Sequence, residues 1–359
     1  MGYDFLLYGA NGYTGALVAR EAAARGLKPL LAGRSAEKLA EVARPLGLDY
    51  RAVPLDAGTL DAALRDTRLV VHCAGPFAHT SRAMADACLR TKRHYVDVTG
   101  EVDVFESLAA RDAEARAAGV MLLPGGGFDV VPSDCLAAHL ARRLPGAVRL
   151  ALAFHPEGGV SRGTATTIVE NLHRGGVVRR GGVLTPVPTA WRTRTIDFGV
   201  GPSTAVTIPW GDVSTAFHST HIPEIEVYAG VSRFERSMMI ATRGLAGLLR
   251  SGPVQSFLKW RIRSGPPGPT EAQRARGCIR LWGEVEDASG ARAVSRMRTP
   301  EGYAFTAVSA VAIAQRVLAG EAPPGFQTPS RAYGADFALA IPGVTRHDDP
   351  ISRSAVAPA

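Results

Sequence analysis

Gly9-Ala10-Asn11-Gly12-Tyr13-Thr14-Gly15 is the stretch on which the reading of the chain turns. An apolar run, Tyr3 to Tyr8, leads into it, and a helical pattern, Ala16 to Arg25, leads out. Strand, glycine turn and helix in that order put a helix N-terminus directly after a buried strand. Such a terminus has unpaired N–H groups and a partial positive charge, which suits a pyrophosphate. Gly9 permits the tight turn, Gly12 lets a phosphate approach the backbone, and Gly15 lets the helix lie close to the strand. The G-x-x-G-x-x-G spacing is one residue off the commonest dinucleotide pattern, so its weight comes from its context. Asn11, Tyr13 and Thr14 belong to the same turn and are expected at the cofactor.

The length of 359 residues suggests two domains, or one large domain with an insertion. Apolar residues at 46% and charged residues at 21% describe an ordinary globular protein. No secretory leader and no run of ~18 apolar residues is legible, so a cytoplasmic protein without a transmembrane segment is expected. Cys73, Cys88, Cys135 and Cys278 are far apart and form no C-x-x-C pair. That argues against zinc and against a disulfide framework; no metal is expected. The net charge is +8, and 13 Lys and Arg against 7 Asp and Glu fall between Ala151 and Arg263. This surplus reads either as a solvated arginine-rich face or as a match for an anionic substrate, carrier or lipid surface. Nucleic acid is not expected, because no recognition motif interleaves the arginines with aromatics.

The second strand, Lys28 to Gly33, ends in Gly33-Arg34-Ser35, with Lys38 one turn later. An NAD enzyme usually places an acid there for the ribose 2′-hydroxyl. A guanidinium and a hydroxyl instead suit a 2′-phosphate, so NADP is favoured over NAD. Ser35 also fits as the cap of a helix from Ala36 to Ala43. Asp56, after a short third strand, either bonds the adenine or caps a helix from Thr59 to Arg65. The apolar fourth strand, Leu69 to Cys73, ends in Ala74-Gly75-Pro76, a low-bulk loop expected beside the nicotinamide. A helix from Ser81 to Thr91 and a strand from His94 to Val98 follow. That strand ends in Tyr95-Val96-Asp97-Val98-Thr99-Gly100-Glu101, and carboxyl ends of such strands face the ligand crevice. After a helix from Phe105 to Ala117, Gly125-Gly126-Gly127 reads as a hinge or a second close approach to the cofactor.

From Ala147 the pattern changes to strands without regular helices between them, and Asp287-Ala288-Ser289-Gly290 marks a hairpin. The expected fold is α/β, a doubly wound parallel sheet followed by a second domain with a mixed or antiparallel sheet. The expected spans are 1–130, 131–320, and a C-terminal segment 321–359 that is frayed from about Arg346. Arg236 to Arg250 and Val254 to Arg263 form an amphipathic pair: core-facing helices, a lid, or a peripheral membrane contact.

Taken together, Gly9 to Gly15, Ala32-Gly33-Arg34-Ser35, Gly75-Pro76, Tyr95 to Glu101, and Gly126-Gly127-Phe128-Asp129 with Pro132-Ser133-Asp134 resemble the saccharopine dehydrogenase-like oxidoreductases. Within that superfamily the chain is more similar to the trans-acting enoyl reductases than to the lysine-pathway saccharopine reductases. The resemblance implies a Rossmann domain, NADP or NAD, a second α/β domain over the nicotinamide, and a last segment that returns to the first domain. It implies hydride transfer to an imine or to an activated C=C bond of a lipid, polyketide or other small metabolite. The chain departs from the amino-acid branch in having no clustered arginine–lysine grip legible in its sequence.

The expected function is therefore an NADPH-dependent reductase of an enoyl or enone bond, acting on an apolar or anionic small molecule. A saccharopine-type C–N dehydrogenase and a non-catalytic nucleotide-binding protein are the alternatives, and a homodimer is left open. Tyr95, Asp97 and Glu101 are the candidate catalytic residues, with Thr99, Arg162 and His173 behind them. Each has a plainer reading: Tyr95 as core, Asp97 as a backbone brace, Glu101 as a helix cap.

Overall fold

The computed structural model describes residues 2–155, 160–171 and 173–353. The chain divides into two compact units, Met1–Val131 with Gly302–Ala332, and Pro132–Glu301 with Tyr333–Ala359. In the first, strands and helices alternate: β1 (Leu6–Tyr8), α1 (Tyr13–Ala24), β2 (Leu30–Gly33), α2 (Ala36–Ala43), β3 (Tyr50–Ala52), α3 (Ala57–Arg65), β4 (Leu69–His72), α4 (Phe77–Thr91), β5 (His94–Asp97), α5 (Val102–Ala109), α6 (Asp112–Ala118) and β6 (Met121–Leu123). The second continues with α7 (Val131–Arg143), β7 (Ala147–His155), α8 (Arg162–Asn171), β8 (Gly176–Arg180), β9 (Val183–Val187), β10 (Thr193–Asp197), β11 (Pro202–Thr207), α9 (Asp212–Thr220) and β12 (Glu224–Gly230). Next come α10 (Arg233–Ala241), α11 (Ala246–Arg250), α12 (Gly252–Ser264), α13 (Glu271–Arg276), β13 (Cys278–Asp287) and β14 (Ala291–Pro300). Then α14 (Gly302–Leu318) and β15 (Gly325–Phe326) add to the first unit, before α15 (Pro329–Tyr333), β16 (Thr345–Asp348) and β17 (Ser352–Arg353).

Among the described residues the first sheet has the order β15-β6-β5-β4-β1-β2-β3, with every pairing parallel. This is the doubly wound arrangement, with its topological switch between β1 and β4. Leu6, Leu7, Leu31, Val70 and Val71 are fully buried. Continuous apolar runs are what a parallel strand needs, because helices cover both faces of the sheet. Helix α14 supplies part of that cover: it packs beside α1 and across β4 and β5, and buries Phe305, Ala310, Ile313 and Ala314.

The second sheet is mixed, with the order β10-β11-β12-β7-β13-β14-β16. Only β12 and β7 run parallel along that path. Helix α7 lies against it through Leu136 and Leu140, where Gly283 gives the room: a Cβ there would stand 2.5 Å from Leu140 Cδ1. The chain from Arg346 supplies edge pairing, β16 and β17 both to β14. Residues 354–359 lie outside the described residues.

Four local features differ from the sequence expectation. Helix α4 begins at Phe77 rather than Ser81, because the Glu101 carboxylate accepts hydrogen bonds from Phe77 N and Ala78 N (2.8 and 2.9 Å). The helix expected over Phe105 to Ala117 is two, α5 and α6, meeting at Ala110–Arg111. Regular helices do interrupt the second-unit strands; α9 is rich in Ser and Thr, poor helix formers in isolation, and holds by burying Val213 and Ala216. Gly125-Gly126-Gly127 is no free hinge, since all three are buried. A Cβ on Gly126 would stand 3.0 Å from Val96 Cγ1, and one on Gly127 2.8 Å from Thr306 Cγ2.

The tightest constraint is at Gly15, where a Cβ would stand 2.2 Å from the carbonyl oxygen of Gly9. Backbone cannot yield there as a side chain can. Gly15→Ala is expected to cost about 2–4 kcal/mol of unfolding free energy in urea titration. Gly247→Ala, in α11 with open space around it, is expected to change stability by less than about 1 kcal/mol and in the favourable direction.

Candidate functional site

Because every strand of the first sheet is parallel, the loops after β1, β2, β4 and β5 emerge along one carboxyl edge. Gly9, at φ +84°, lets the chain turn from β1 into α1. A Cβ on it would stand 2.7 Å from Ala74 N, so the loops after β1 and β4 touch backbone to backbone. Gly12 is the N-cap of α1 at φ −79°, ψ 166°, with no side chain capping the helix and no acid in its first turn. The N-terminal N–H groups and the positive dipole end therefore meet no carboxylate of α1 itself, the arrangement an anion needs. Tyr13 is held edge-on against Tyr303 at 5.0 Å, Thr14 is half-buried, and Asn11 leans on the end of β2: its Oδ1 is where a Cβ on Gly33 would come within 2.7 Å.

The end of β2 is basic. Arg34 and Lys38 are both exposed. Ser35 caps α2 by accepting from Lys38 N at 3.4 Å. The cap uses an acceptor lone pair and leaves the Ser35 hydroxyl proton free for a phosphate oxygen. The next strand end behaves differently. Asp56 caps α3, accepting from Thr59 N and Thr59 Oγ1 at 2.9 and 2.8 Å, and these bonds hold its carboxyl below the usual range.

Beyond the switch point, the loop Ala74-Gly75-Pro76 is held from two sides. Thr80 Oγ1 donates to Ala74 O at 2.8 Å, and His72 Nε2 meets the same hydroxyl at 2.9 Å. Since that hydroxyl proton is spent on Ala74, His72 carries its proton on Nε2. Burial holds the imidazole neutral, its pKa pushed down to about 3. His72 Nδ1 has no partner among the described residues. From the other side Glu101 fastens the first turn of α4. The polar His72 within the apolar run Leu69 to Cys73 was the one sequence signal of this support, and Thr80 gave none.

Tyr95 and Asp97 lie together, as alternation along β5 requires, and both are fully buried. Tyr95 OH donates to Asp97 Oδ2 at 2.5 Å, while Asp97 Oδ1 accepts from Thr99 N at 3.0 Å and Gly125 N at 2.9 Å. Burial raises the Asp97 carboxyl to about 6 despite those donors. Asp97 thus ties the end of β5 to the loop after β6. Thr99 is buried beside it and its Oγ1 accepts from Glu101 N.

Residues 5–123 match the model of the saccharopine dehydrogenase NADP-binding domain. Over these residues the chain is similar to the NADP-binding domain of saccharopine dehydrogenase. NADP(H) is its cofactor. The chain is 35% identical to a trans-acting enoyl reductase of Mycobacterium leprae over 151 residues, 40% of this chain and 36% of that protein. It is 33% identical to the trans-acting enoyl reductase of Mycobacterium tuberculosis strain H37Rv over 150 residues, 39% and 36%. The matched part is thus little more than a third of either relative. The fold as a whole is similar to apo saccharopine dehydrogenase (L-Glu forming) from Saccharomyces cerevisiae, at TM-score 0.63 and 13% identity, over 97% of this chain and 100% of that one.

The candidates outside the NADP-binding domain lie in the second unit. Arg162 fastens the start of α8 to the loop after α12, its Nε donating to Gly265 O at 3.0 Å. His173 is half-buried, and its Nδ1 has no partner among the described residues. The second sheet also gathers what the sequence scatters. A cavity of about 590 Å³ is lined by Arg149, Arg180, Arg192, Arg194 and Arg292 among others. Among the described residues four of the five pair with a carboxylate: Arg149 and Arg292 with Glu286, Arg192 with Glu226, and Arg194 with Glu284. Among the described residues no cluster of His, Cys, Asp and Glu could hold a metal ion, and no helix is long and apolar enough to cross a membrane.

Two substitutions test this geometry. Arg34→Asp is expected to lower the preference for NADPH over NADH at least about tenfold, measured as the ratio of dissociation constants. An unchanged ratio removes Arg34 from the site. Asp97→Ala leaves Thr99 N and Gly125 N without an acceptor and is expected to cost about 2–4 kcal/mol in chemical denaturation; Asp97→Asn, which keeps one acceptor oxygen, costs less.

Proposed function

We propose that the protein is an NADPH-dependent oxidoreductase that reduces an activated C=C bond, of enoyl or enone type, in a lipid, polyketide or other small metabolite. The observation that carries the reading is the uncapped, acid-free N-terminus of α1 with Arg34 and Lys38 at the neighbouring strand end. The choice of bond is supported by the relatives, which are named trans-acting enoyl reductases. Bound NADPH supplies the hydride.

The protein's own part in this reading is positioning. Glu101 holds the turn that follows the Ala74-Gly75-Pro76 loop, and the Tyr95–Asp97 pair anchors the strand end from which Glu101 projects. Tyr95 and Asp97 are fully buried, so they act through Thr99 and Gly125 rather than by proton transfer to substrate. Hydride addition to a polarised double bond needs little acid help, and solvent serves as the proton source. Glu101→Gln keeps an acceptor but only one, so it is expected to lower kcat/KM about tenfold or more.

The test is NADPH oxidation followed at its absorbance with enoyl thioesters, enones and preformed imines. Consumption is expected with the first two classes. Turnover confined to imines, or amine oxidation with NADP as the sole activity, would replace this reading with a C–N dehydrogenase. No dinucleotide uptake by calorimetry would end the assignment as an oxidoreductase.

A further inference from the structure

Residues 233–264 form a helical excursion with an unusual property. None of α10, α11 and α12, nor the turn Thr242–Leu245 between the first two, has a buried residue. The sequence leaves a core-facing pair open here, and the structure does not provide that core. Phe234, Met238, Ala241, Leu245 and Leu248 recur at steps of four, three, four and three, the spacing of one apolar stripe on a helical path. Such a stripe ordinarily packs on a sheet. Here Phe234 is 73% exposed, Met238 53% and Leu248 56%. In α12, Phe257 and Trp260 stand one turn apart on the outer side with ring centroids 5.9 Å apart, each 58% exposed. The inner side of α12 is fastened to α8, with Gln255 Nε2 donating to Val169 O at 3.0 Å and Lys259 paired with Glu170 at 2.6 Å.

The charge on this excursion is one-sided. It carries seven Lys and Arg against a single acid, Glu235, whose carboxylate closes the capping box of α10. Arg243 is spent on the carbonyls of Thr189 and Ala190. Arg233, Arg250, Arg261 and Arg263 are exposed around the apolar side chains. A second copy of the chain is a poor cover for this face, because two such surfaces would oppose like charges with one carboxylate each. Large apolar and aromatic side chains rimmed by arginines are what an interfacial helix presents to lipid headgroups, with Trp and Phe at the acyl boundary and guanidinium groups at the phosphates.

We propose that the outer face of α10 to α12 docks on an anionic lipid bilayer. Phe234, Met238, Leu248, Phe257 and Trp260 enter the headgroup boundary, and Arg233, Arg250, Arg261 and Arg263 meet lipid phosphates. The proposal is independent of the reaction assigned above, since it rests on no residue of the NADP-binding domain.

The test uses the full chain and co-sedimentation with two vesicle preparations, phosphatidylcholine alone and equal parts phosphatidylcholine and phosphatidylglycerol. Binding is expected to the second, weakened by added salt, with at least about tenfold less to the first. Trp260 is the exposed tryptophan, Trp282 being buried and Trp191 and Trp210 half-buried, so a blue shift of emission is expected on the acidic vesicles and is lost in Trp260→Phe. Phe257→Ser with Trp260→Ser, and separately Arg261→Glu with Arg263→Glu, are expected to reduce binding at least about tenfold with the far-UV circular dichroism and the urea-unfolding transition of the parent retained, which shows that the fold survives. Equal binding to both vesicles, no binding to either, or variants that bind like the parent would overturn the proposal. So would a solution dimer that the Phe257→Ser, Trp260→Ser pair dissociates without any vesicle binding by the parent, or a soluble acidic protein that occupies this face in its place.

Discussion

Three backbones meet at Gly9, and the first unit is built around their contact. The carbonyl oxygen of Gly9 sits 2.2 Å from where a Cβ on Gly15 would be, and its own Cβ position is filled by Ala74 N at 2.7 Å. Helix α1 and the loop after β4 can therefore press on the same turn only because both glycines lack side chains. Closeness of this kind points the N–H groups of α1 into the gap at the switch between β1 and β4. A dinucleotide pyrophosphate needs that gap to be narrow, polar and free of carboxylates. The missing cap on α1 and the basic end of β2 meet the electrostatic half of that need; the glycines meet the steric half.

The same edge of the sheet uses carboxylates in a different way. Asp97 is sealed under the site and answers three donors, so it fixes where β5 ends. Glu101, four residues later, sits at the N-terminus of α4 and starts that helix at Phe77. One acid organises the floor and the other the wall. Both act on backbone position, through hydrogen bonds to main-chain N–H groups.

The second unit shows how a sheet can assemble charge that the linear order disperses. Arg149, Arg192 with Arg194, and Arg292 come from three separate places in the chain and reach one basin, each paired with a glutamate. By contrast α10 to α12 leave Phe234, Met238, Leu248, Phe257 and Trp260 more than half exposed. Periodicity is the same signal in both settings. What differs is whether another element arrives to cover it.

Local order was largely legible. The glycine turn, the basic end of β2 and the strands at 193, 224, 278 and 291 follow from turn chemistry, apolar runs and alternation, which act over a few residues. The Ser35 cap was equally visible, and of the two readings open for Asp56 the structure displays the cap. What the sequence could not supply were contacts between distant residues: Glu101 moving the start of α4, Gly125 and Gly126 pressed against β5, His72 held by Thr80, and α9 stabilised by burial against its own propensity. The sequence by itself determined the doubly wound sheet and its anion-ready turn, because those depend on neighbours in the chain. Only the tertiary structure decided which carboxylates became supports and which apolar faces stayed bare, because burial and hydrogen-bond pairing are settled by whatever packs alongside.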